Sequence, residues 1–572
     1  MKIALNKGWR FLGTCLANIP AMVAVLLFPI PGYGQTLPEL PRVYLETRYA
    51  LPTAGRTITV NAGGDLQAAL NSANPGDVIV LQAGTTFTGN FTLPNKTTGS
   101  GWIYIQSSAC SQLPPPGTRV SPAQAYLMPK IVSPNTDPAL TTATSAHHYR
   151  LVGLEITTTH ATTNSTHSTP VNFSAPNRPT TLSQLPSDLT VDRCYIHGTP
   201  TGNIRRGIAL NSARTAIIDS YLSNCHEVSA DSQAIAGWDG PGPYKIVNNY
   251  LEGAGENVMF GGADPSISNL VPSDIEIRHN YFFKPLTWKI DHPSYAGTPW
   301  SIKNLFELKN ARRVLVEGNI FEQCWPHAQS GFAIVLTVRN QDNTAPWSTV
   351  EDVTFRRNLI RNSTSGLSMH GRDDPYVSQQ TQRVLIEDNL FVQDAQLSGV
   401  PWRMLQVVGR HGDAVTFSHN TLIPNESQVG PNDCCTALMV FGDDTNEKWT
   451  SFVFQNNIGT HLQYGIFGSG TGEGTAALNA YLAAGYGFAK NLIAGSNPAG
   501  YPANNFYPST LTDVGFVDLA GGNYRLSATS PYKGQATDGK DIGADIDALT
   551  LATAGVINGT THAPSPPRNL RK

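Results

Sequence analysis

Val316-Glu-Gly-Asn319-Ile-Phe, Phe355-Arg-Arg-Asn358-Leu-Ile and Ile386-Glu-Asp-Asn389-Leu-Phe are three copies of one short phrase, and that phrase decides the fold. Earlier copies are Val191-Asp-Arg-Cys194-Tyr-Ile, Ile217-Ile-Asp-Ser220-Tyr-Leu, Ile246-Val-Asn-Asn249-Tyr-Leu and Ile277-Arg-His-Asn280-Tyr-Phe; later ones are Phe417-Ser-His-Asn420-Thr-Leu and Phe454-Gln-Asn-Asn457-Ile-Gly. Their fourth residues are separated by 26, 29, 31, 39, 39, 31, 31 and 37 positions. Such spacing is too regular for unrelated strands and too loose for identical repeats, and it fits a tolerant solenoid.

Each unit is too short to bury a face alone. Its strands are β-branched and aromatic with turn residues between them, so stacked coils bury what one coil cannot. Asn recurs where the chain bends between two strands; it tolerates left-handed backbone geometry, and stacked amides can bond along a solenoid. The pattern resembles the right-handed parallel β-helix of pectate-lyase-like proteins, and that resemblance implies an all-β solenoid of ten or more coils with an inward Asn ladder. A propeller or plain sandwich accounts less well for the variable step and the repeated Asn.

The ends frame this core. Residues 1–34 have the layout of a secretory signal peptide: Lys2, Lys7 and Arg10, an apolar stretch centred on Ala21 to Ile30, and small residues before Gln35, with cleavage after Gly34. The stretch is interrupted by Pro20, Pro29 and Pro31, and falls short of the roughly 20 residues of a membrane span, although an uncleaved anchor is the alternative. The mature protein is therefore expected to be secreted or periplasmic, monomeric and without stable membrane insertion. Residues 35–130 read as an N-terminal cap and first coils, in which Asp65 caps a short helix with Leu66, Ala69 and Leu70 on its apolar face. This segment resembles the opening of pectate-lyase-like helices, where a helix plugs the end of the cylinder. Residues 131–545 hold the main β-helix, with repeats decaying into an Ala/Gly-rich stretch after Asn457, and 546–572 read as a linker-like tail.

A charged content of 14% suits a secreted all-β protein. The net charge of −3 gives no reason to propose nucleic acid or an anionic membrane as partner. Beyond the leader, Cys110, Cys194, Cys225, Cys324, Cys434 and Cys435 form an even set, but Cys194 stands at a ladder position and the last two are adjacent, so no pairing is assigned.

Chemistry is expected on the first strand of each coil, some ten residues before the ladder Asn. Phe306 and Leu308 should face inward there, with Glu307 and Lys309 outward. Aligning Thr337-Val-Arg339-Asn340 with Glu307-Leu-Lys309-Asn310, and then Ser368-Met-His370-Gly371, stacks Lys309, Arg339 and His370 on successive coils about 4.8 Å apart. Two cations at 5 Å repel by about 0.8 kcal/mol even in water and by more where water is excluded. Such a row calls for an offset. Either Glu307, Asp342, Asp373 and Asp374 make it an ion-pair ladder, or the row receives an anionic ligand.

The second alternative suits β-elimination on a uronic-acid polysaccharide, which needs the sugar carboxylate neutralised, a base for the C5 proton and an acid for the leaving oxygen. Lys309 is assigned as base, Arg339 as carboxylate neutraliser or acid, and His370 as substrate contact or shared acid. Glu307, Trp347 and Asp373 are assigned to substrate binding, with Trp288, Trp300, Trp325 and Trp402 as further loop aromatics for stacking. The Glu-Leu-Lys strand followed a coil later by Val-Arg-Asn resembles the chondroitinase B and alginate lyase β-helices. That resemblance implies calcium on Glu307, Lys309 as base and Arg339 on the following coil; no second calcium-ligating Glu is seen beside Glu307. A polygalacturonase-like hydrolase using Asp373 and Asp374, a C5-epimerase, and a noncatalytic polysaccharide-binding or structural β-helix are the alternatives.

Overall fold

The computed structural model describes residues 36–393, 403–425 and 436–560. The proposed leader, Trp402, the Cys434-Cys435 pair and the last part of the tail lie outside the described residues. From Thr36 onward the chain forms one unit. Its repeating coil is seen clearly around Asn319: the strand Phe306–Leu308, then Ala311–Glu317, then Ile320–Cys324, before Phe332–Thr337 starts the next turn. Strands of each kind stack on their counterparts. Among the described residues this gives a first-strand sheet of 13, a second-strand sheet of 14 and a third-strand sheet of 13 strands, nearly all parallel. The result is an all-β, right-handed parallel β-helix.

Period-two alternation fills the interior. Ile235, Val258, Phe306, Ile334 and Leu367 pair in line along the first-strand sheet and are fully buried. Ile246, Ile277, Val316, Phe355 and Ile386 form the same kind of column in the second-strand sheet. Leu251, Phe282, Phe321, Ile360 and Phe391 form it in the third. Stacking identical positions at one coil spacing lets large apolar residues bury against each other without a second layer.

The ladder is continuous. The backbone N–H and Nδ2 of Asn280 both donate to Asn319 Oδ1, at 2.9 and 3.0 Å, and Asn319 donates likewise to Asn358 at 2.9 and 3.0 Å. The pattern runs from Asn249 through Asn389, Asn420 and Asn457 to Asn491 and Asn505. The left-handed residue, however, is not the ladder Asn. It is the residue before it: Asn248, His279, Gly318, Arg357, Asp388, His419 and Asn456 all have positive φ. Asn is required at the ladder because its amide accepts from one coil while donating to another; the bend falls on the preceding residue whatever its side chain.

A helix packs into the core at the N-terminal end. Helix Leu66–Ser72 is capped by Asp65, whose carboxylate accepts from the Ala68 N–H, and buries Leu66, Ala69 and Leu70 in the main core. The coils begin at Val78–Leu81, and the Ala/Gly-rich stretch after Asn457 still completes coils at Gly487–Ala489 and Leu492–Ala494 after a helix at Thr475–Tyr481. A further helix, Ile546–Thr553, occupies the start of the segment read as linker-like and buries Ile546 and Leu549 against Leu390 and Ile423. No helix among the described residues is long and apolar enough to cross a membrane. Cys110, Cys194, Cys225 and Cys324 are free, and burial lifts the Cys194 thiol to about 12, as suits a small core residue.

Candidate active site

The outer face of the first-strand sheet gathers charge around Lys309. Phe306 and Leu308 point into the core, so Glu307 and Lys309 face out, as alternation requires. Lys309 Nζ lies 3.7 Å from Glu307 Oε1, with 13% of its side chain exposed, and Asn304 Nδ2 donates to Glu307 Oε2 at 3.1 Å. One coil earlier, Gly261 has φ +97°, and a Cβ there would stand 2.7 Å from the Lys309 Cβ. This glycine is what lets Lys309 pack so close to the preceding coil.

Glu256, absent from the sequence-based site, completes the cluster. It is fully buried at the start of its strand, accepts from Gln233 Nε2 at 2.6 Å and sits 3.9 Å from Lys303 Nζ, which in turn holds Asp231 at 2.5 Å. Burial first, then the Glu307 and Asp231 charges, lift the Glu256 carboxyl to about 7. For Lys309, burial alone would favour the neutral amine, but Glu307, Glu256 and Asp231 outweigh it and hold the ammonium above its ordinary value. Three acids thus face two lysines, and the protein by itself keeps Lys309 protonated.

Oxygen atoms in this cluster remain unanswered. Glu256 Oε1, Gln233 Oε1 and Asn304 Oδ1 are all buried without a hydrogen-bond partner. Carboxylate and amide oxygens are the donors a hard cation such as calcium takes. Among the described residues no group of three or more His, Cys, Asp or Glu side chains has metal-site geometry, so a cation here would depend on the amide oxygens beside Glu256 and Glu307. The donor chemistry fits calcium.

The expected row of cations has a different register. Glu307 pairs with Val335 and then Ser368, while His370 pairs with Thr337 and Val408. Arg339 lies beyond the end of its strand, two residues past Thr337, although its N–H still donates to the Lys309 carbonyl at 3.0 Å. Arg339 and Lys309 are close enough to repel. Yet Arg339 is already engaged: Nη1 is 2.5 Å from Asp373 Oδ1, and Asp373 Oδ2 accepts the Asn340 N–H at 2.9 Å. Asp374 bridges Arg339 at 3.9 Å and His370 Nε2 at 3.1 Å. Arg339, Asn340, Asp373 and Asp374, with Gln341, Pro375 and Tyr376, border a recess of about 310 Å³.

Of the other expected contacts, Trp347 donates its indole N–H to the Leu270 carbonyl at 3.0 Å and lines a separate recess with Arg178, Ser266 and Thr344. Trp288, Trp300 and Trp325 are 5, 2 and 4% exposed and form a satellite core, so these three are packing residues and not stacking platforms. Asp342 accepts from the Asp264 N–H and gives no pairing to Lys309. Glu256 could have been found by aligning strand starts: Met259 pairs with Glu307, which brings Glu256 to the level of Asn304.

No protein-family model matches the chain, and no curated protein matches it. Among solved structures, an alginate lyase from Paenibacillus sp. str. FPU-7 is similar at 15% identity over 63% of this chain and 93% of that one, with a TM-score of 0.33. The PL6 family alginate lyase AlyGC gives 14%, 86%, 58% and 0.41. The catalytic unit of a thermostable GH87 alpha-1,3-glucanase from Streptomyces thermodiastaticus strain HF3-3 gives 12%, 82%, 72% and 0.43. Likeness at this level concerns the winding of the chain; the chemistry rests on the side chains described above.

Proposed function

We propose that this protein is a secreted or periplasmic carbohydrate-active enzyme, a lyase that cleaves an acidic, uronic-acid-containing polysaccharide by β-elimination. The observation that carries the reading is the largely buried Lys309 ammonium, balanced against Glu307 and Glu256 on the outer side of the first-strand sheet with Arg339 beyond it. A calcium ion held by Glu256 and Glu307, with Gln233 and Asn304 oxygens, would supply positive charge for the substrate carboxylate. Lys309 would then lose the carboxylate partners that keep it protonated, and could take the C5 proton of a uronate. As the C5–H pair becomes the C4–C5 double bond, the C4–O bond breaks and the leaving oxygen takes a proton. Arg339 suits the neighbouring carboxylate, and His370, beside Asp374, suits substrate contact or the acid role.

The same geometry bears on the alternatives. Asp373 is fixed by Arg339 and the Asn340 N–H, with only 1% of its side chain exposed. That disfavours it as the water-activating base of a hydrolase. The closed group of Arg339, Asp373, Asp374 and His370 suits a noncatalytic polysaccharide-binding protein, which is the second reading.

The test is ultraviolet absorbance of the unsaturated product, followed on pectate, alginate and glycosaminoglycans with added calcium and with chelator. Product that is lost in Lys309→Ala supports the lyase. If neither absorbance nor new reducing ends appear on any of these polymers, the catalytic reading is wrong and the binding reading replaces it.

A further inference from the structure

One cation on the same sheet face has no acid in contact with it among the described residues. Arg206 begins the strand Arg206–Leu210, three coils before Lys309, and its guanidinium lies 4.6 Å from the ring centre of Trp238, which follows the strand one coil nearer. Ile208 and Ile235 fill the core, so Ala209 and Ala236 are the outward residues between the Arg and the Trp. Their small side chains leave the face low enough for a long side chain to lie across it. Arg206 Nε is buried without a hydrogen-bond partner. The acids that act on Arg206 from a distance, Glu256 and Asp231, are engaged by Lys303. Burial, with help from the neighbouring Arg205, pulls the Arg206 guanidinium down to about 10, a sign that its charge is poorly answered within the protein.

A guanidinium stacked on an indole is held flat, with its fork of N–H donors at the edge, and such a fork matches a carboxylate. The strand Gln233–Gly237, which leads into Trp238, is separated from Phe306–Leu308 by two coil steps, about 10 Å. A polysaccharide lying along the solenoid axis that presents one sugar to Lys309 would therefore carry another sugar past Trp238. The intervening coil offers Gly261 and Gly262, which raise no side chain between the two places.

We propose that Arg206, positioned by Trp238, is a subsite for the carboxylate of a second uronate unit of an acidic polysaccharide. This rests on the reading of the Lys309 face as a polysaccharide site, and it deepens that reading by making recognition extend at least two coils to one side of the base. The substrate must be long enough to reach both places, and it must be charged along its length.

The experiment is calorimetric titration of the full-length protein with uronate oligomers of increasing length, and with neutral cello-oligosaccharides, alongside the absorbance assay. Arg206→Gln should weaken binding of the longer uronate oligomers about tenfold or more, the loss of one charge-assisted contact. It should also flatten the salt dependence of that binding and leave the shortest oligomers unaffected. Arg206→Lys, which keeps the charge and loses the fork, should fall between. Trp238→Leu should give a smaller loss of the same kind, with thermal melts checking that each variant is folded. Equal affinity of Arg206→Gln and the unaltered protein for the longest oligomer overturns the subsite, as does failure of the unaltered protein to bind any uronate oligomer. Arg206-dependent binding without product keeps the subsite and removes the lyase; product with Arg206-independent binding does the reverse.

Discussion

Glu256→Gln should stabilise the protein, and only at higher pH. In the folded chain the Glu256 carboxyl titrates near 7, against an ordinary 4.5. At 1.36 kcal/mol per pH unit, that difference corresponds to about 3 kcal/mol. A raised carboxyl pKa means that the folded state holds the proton more tightly than the unfolded chain. Its contribution is fully present below pH 4.5 and is lost as pH rises through about 7. Gln cannot ionise, keeps an oxygen to accept from Gln233, and has nearly the same shape. The variant and the parent should therefore melt together below pH 4.5, and the variant should melt higher above pH 7, by a few degrees. Calcium should reverse the order: at a hundred times its dissociation constant it would add about 2.7 kcal/mol to the parent and much less to the variant. The assay is thermal unfolding across pH with chelator and then with calcium. A melting difference independent of pH, or a parent more stable than the variant in chelator above pH 7, refutes the argument.

Three other outcomes follow from the geometry. Asn319→Ala should cost about 3 kcal/mol or more by orphaning the Asn280 donors and the Ile277 carbonyl inside the solenoid, seen as a large drop in denaturation midpoint; a drop no greater than that of a surface Asn would contradict the ladder's role. Lys284→Met should be similarly severe, because the buried ammonium serves the carbonyls of Gly253, Ala254 and Gly255 and the Asn257 side chain at 2.5 to 3.1 Å; protein that expresses and melts like the parent would count against this. Gly261→Ala should reduce lyase activity at least tenfold and lower the melting temperature as well, since at φ +97° its Cβ would stand 2.7 Å from the Lys309 Cβ and 2.8 Å from the Asn310 N; unchanged turnover would show that Lys309 need not sit where it does.

The ladder was legible because its requirement is chemical and recurs with the coil: one amide must donate and accept in a direction fixed by stacking. The strained position was not, because almost any side chain fills it. His279, Arg357, Asp388 and His419 adopt left-handed φ where only Gly318 is a glycine, a local cost of order 1 kcal/mol each that the ladder bonds and the core outweigh. The ladder role read for Asn is thus the one it fills, and only the left-handed bend falls one residue earlier. The site shows the same division. Outward Glu307 and Lys309 followed from alternation, whereas the level of Arg339 depended on a register that slips past Thr337, where the strand gives way to a turn. The coils after Asn457 were hidden by composition, since Ala and Gly fill inward positions as well as loops; Asn491 and Asn505, which continue the ladder, were the signal.

The charge balance at Lys309 constrains any mechanism that uses it. A lysine serves as base only when neutral, and low proton affinity comes from burial or from nearby cations. Here burial and Arg339 push in that direction, but three carboxylates push back harder, and the ammonium is favoured. Removing Arg339 would therefore make Lys309 a poorer base still, whereas neutralising Glu256 or Glu307 would make it a better one. The order of effects is testable with one pH profile: Glu256→Gln should shift the ascending limb of activity, which reports deprotonation of the base, toward lower pH, and Arg339→Gln toward higher pH. A shift of both variants in the same direction would mean that the Lys309 proton is not what the limb reports.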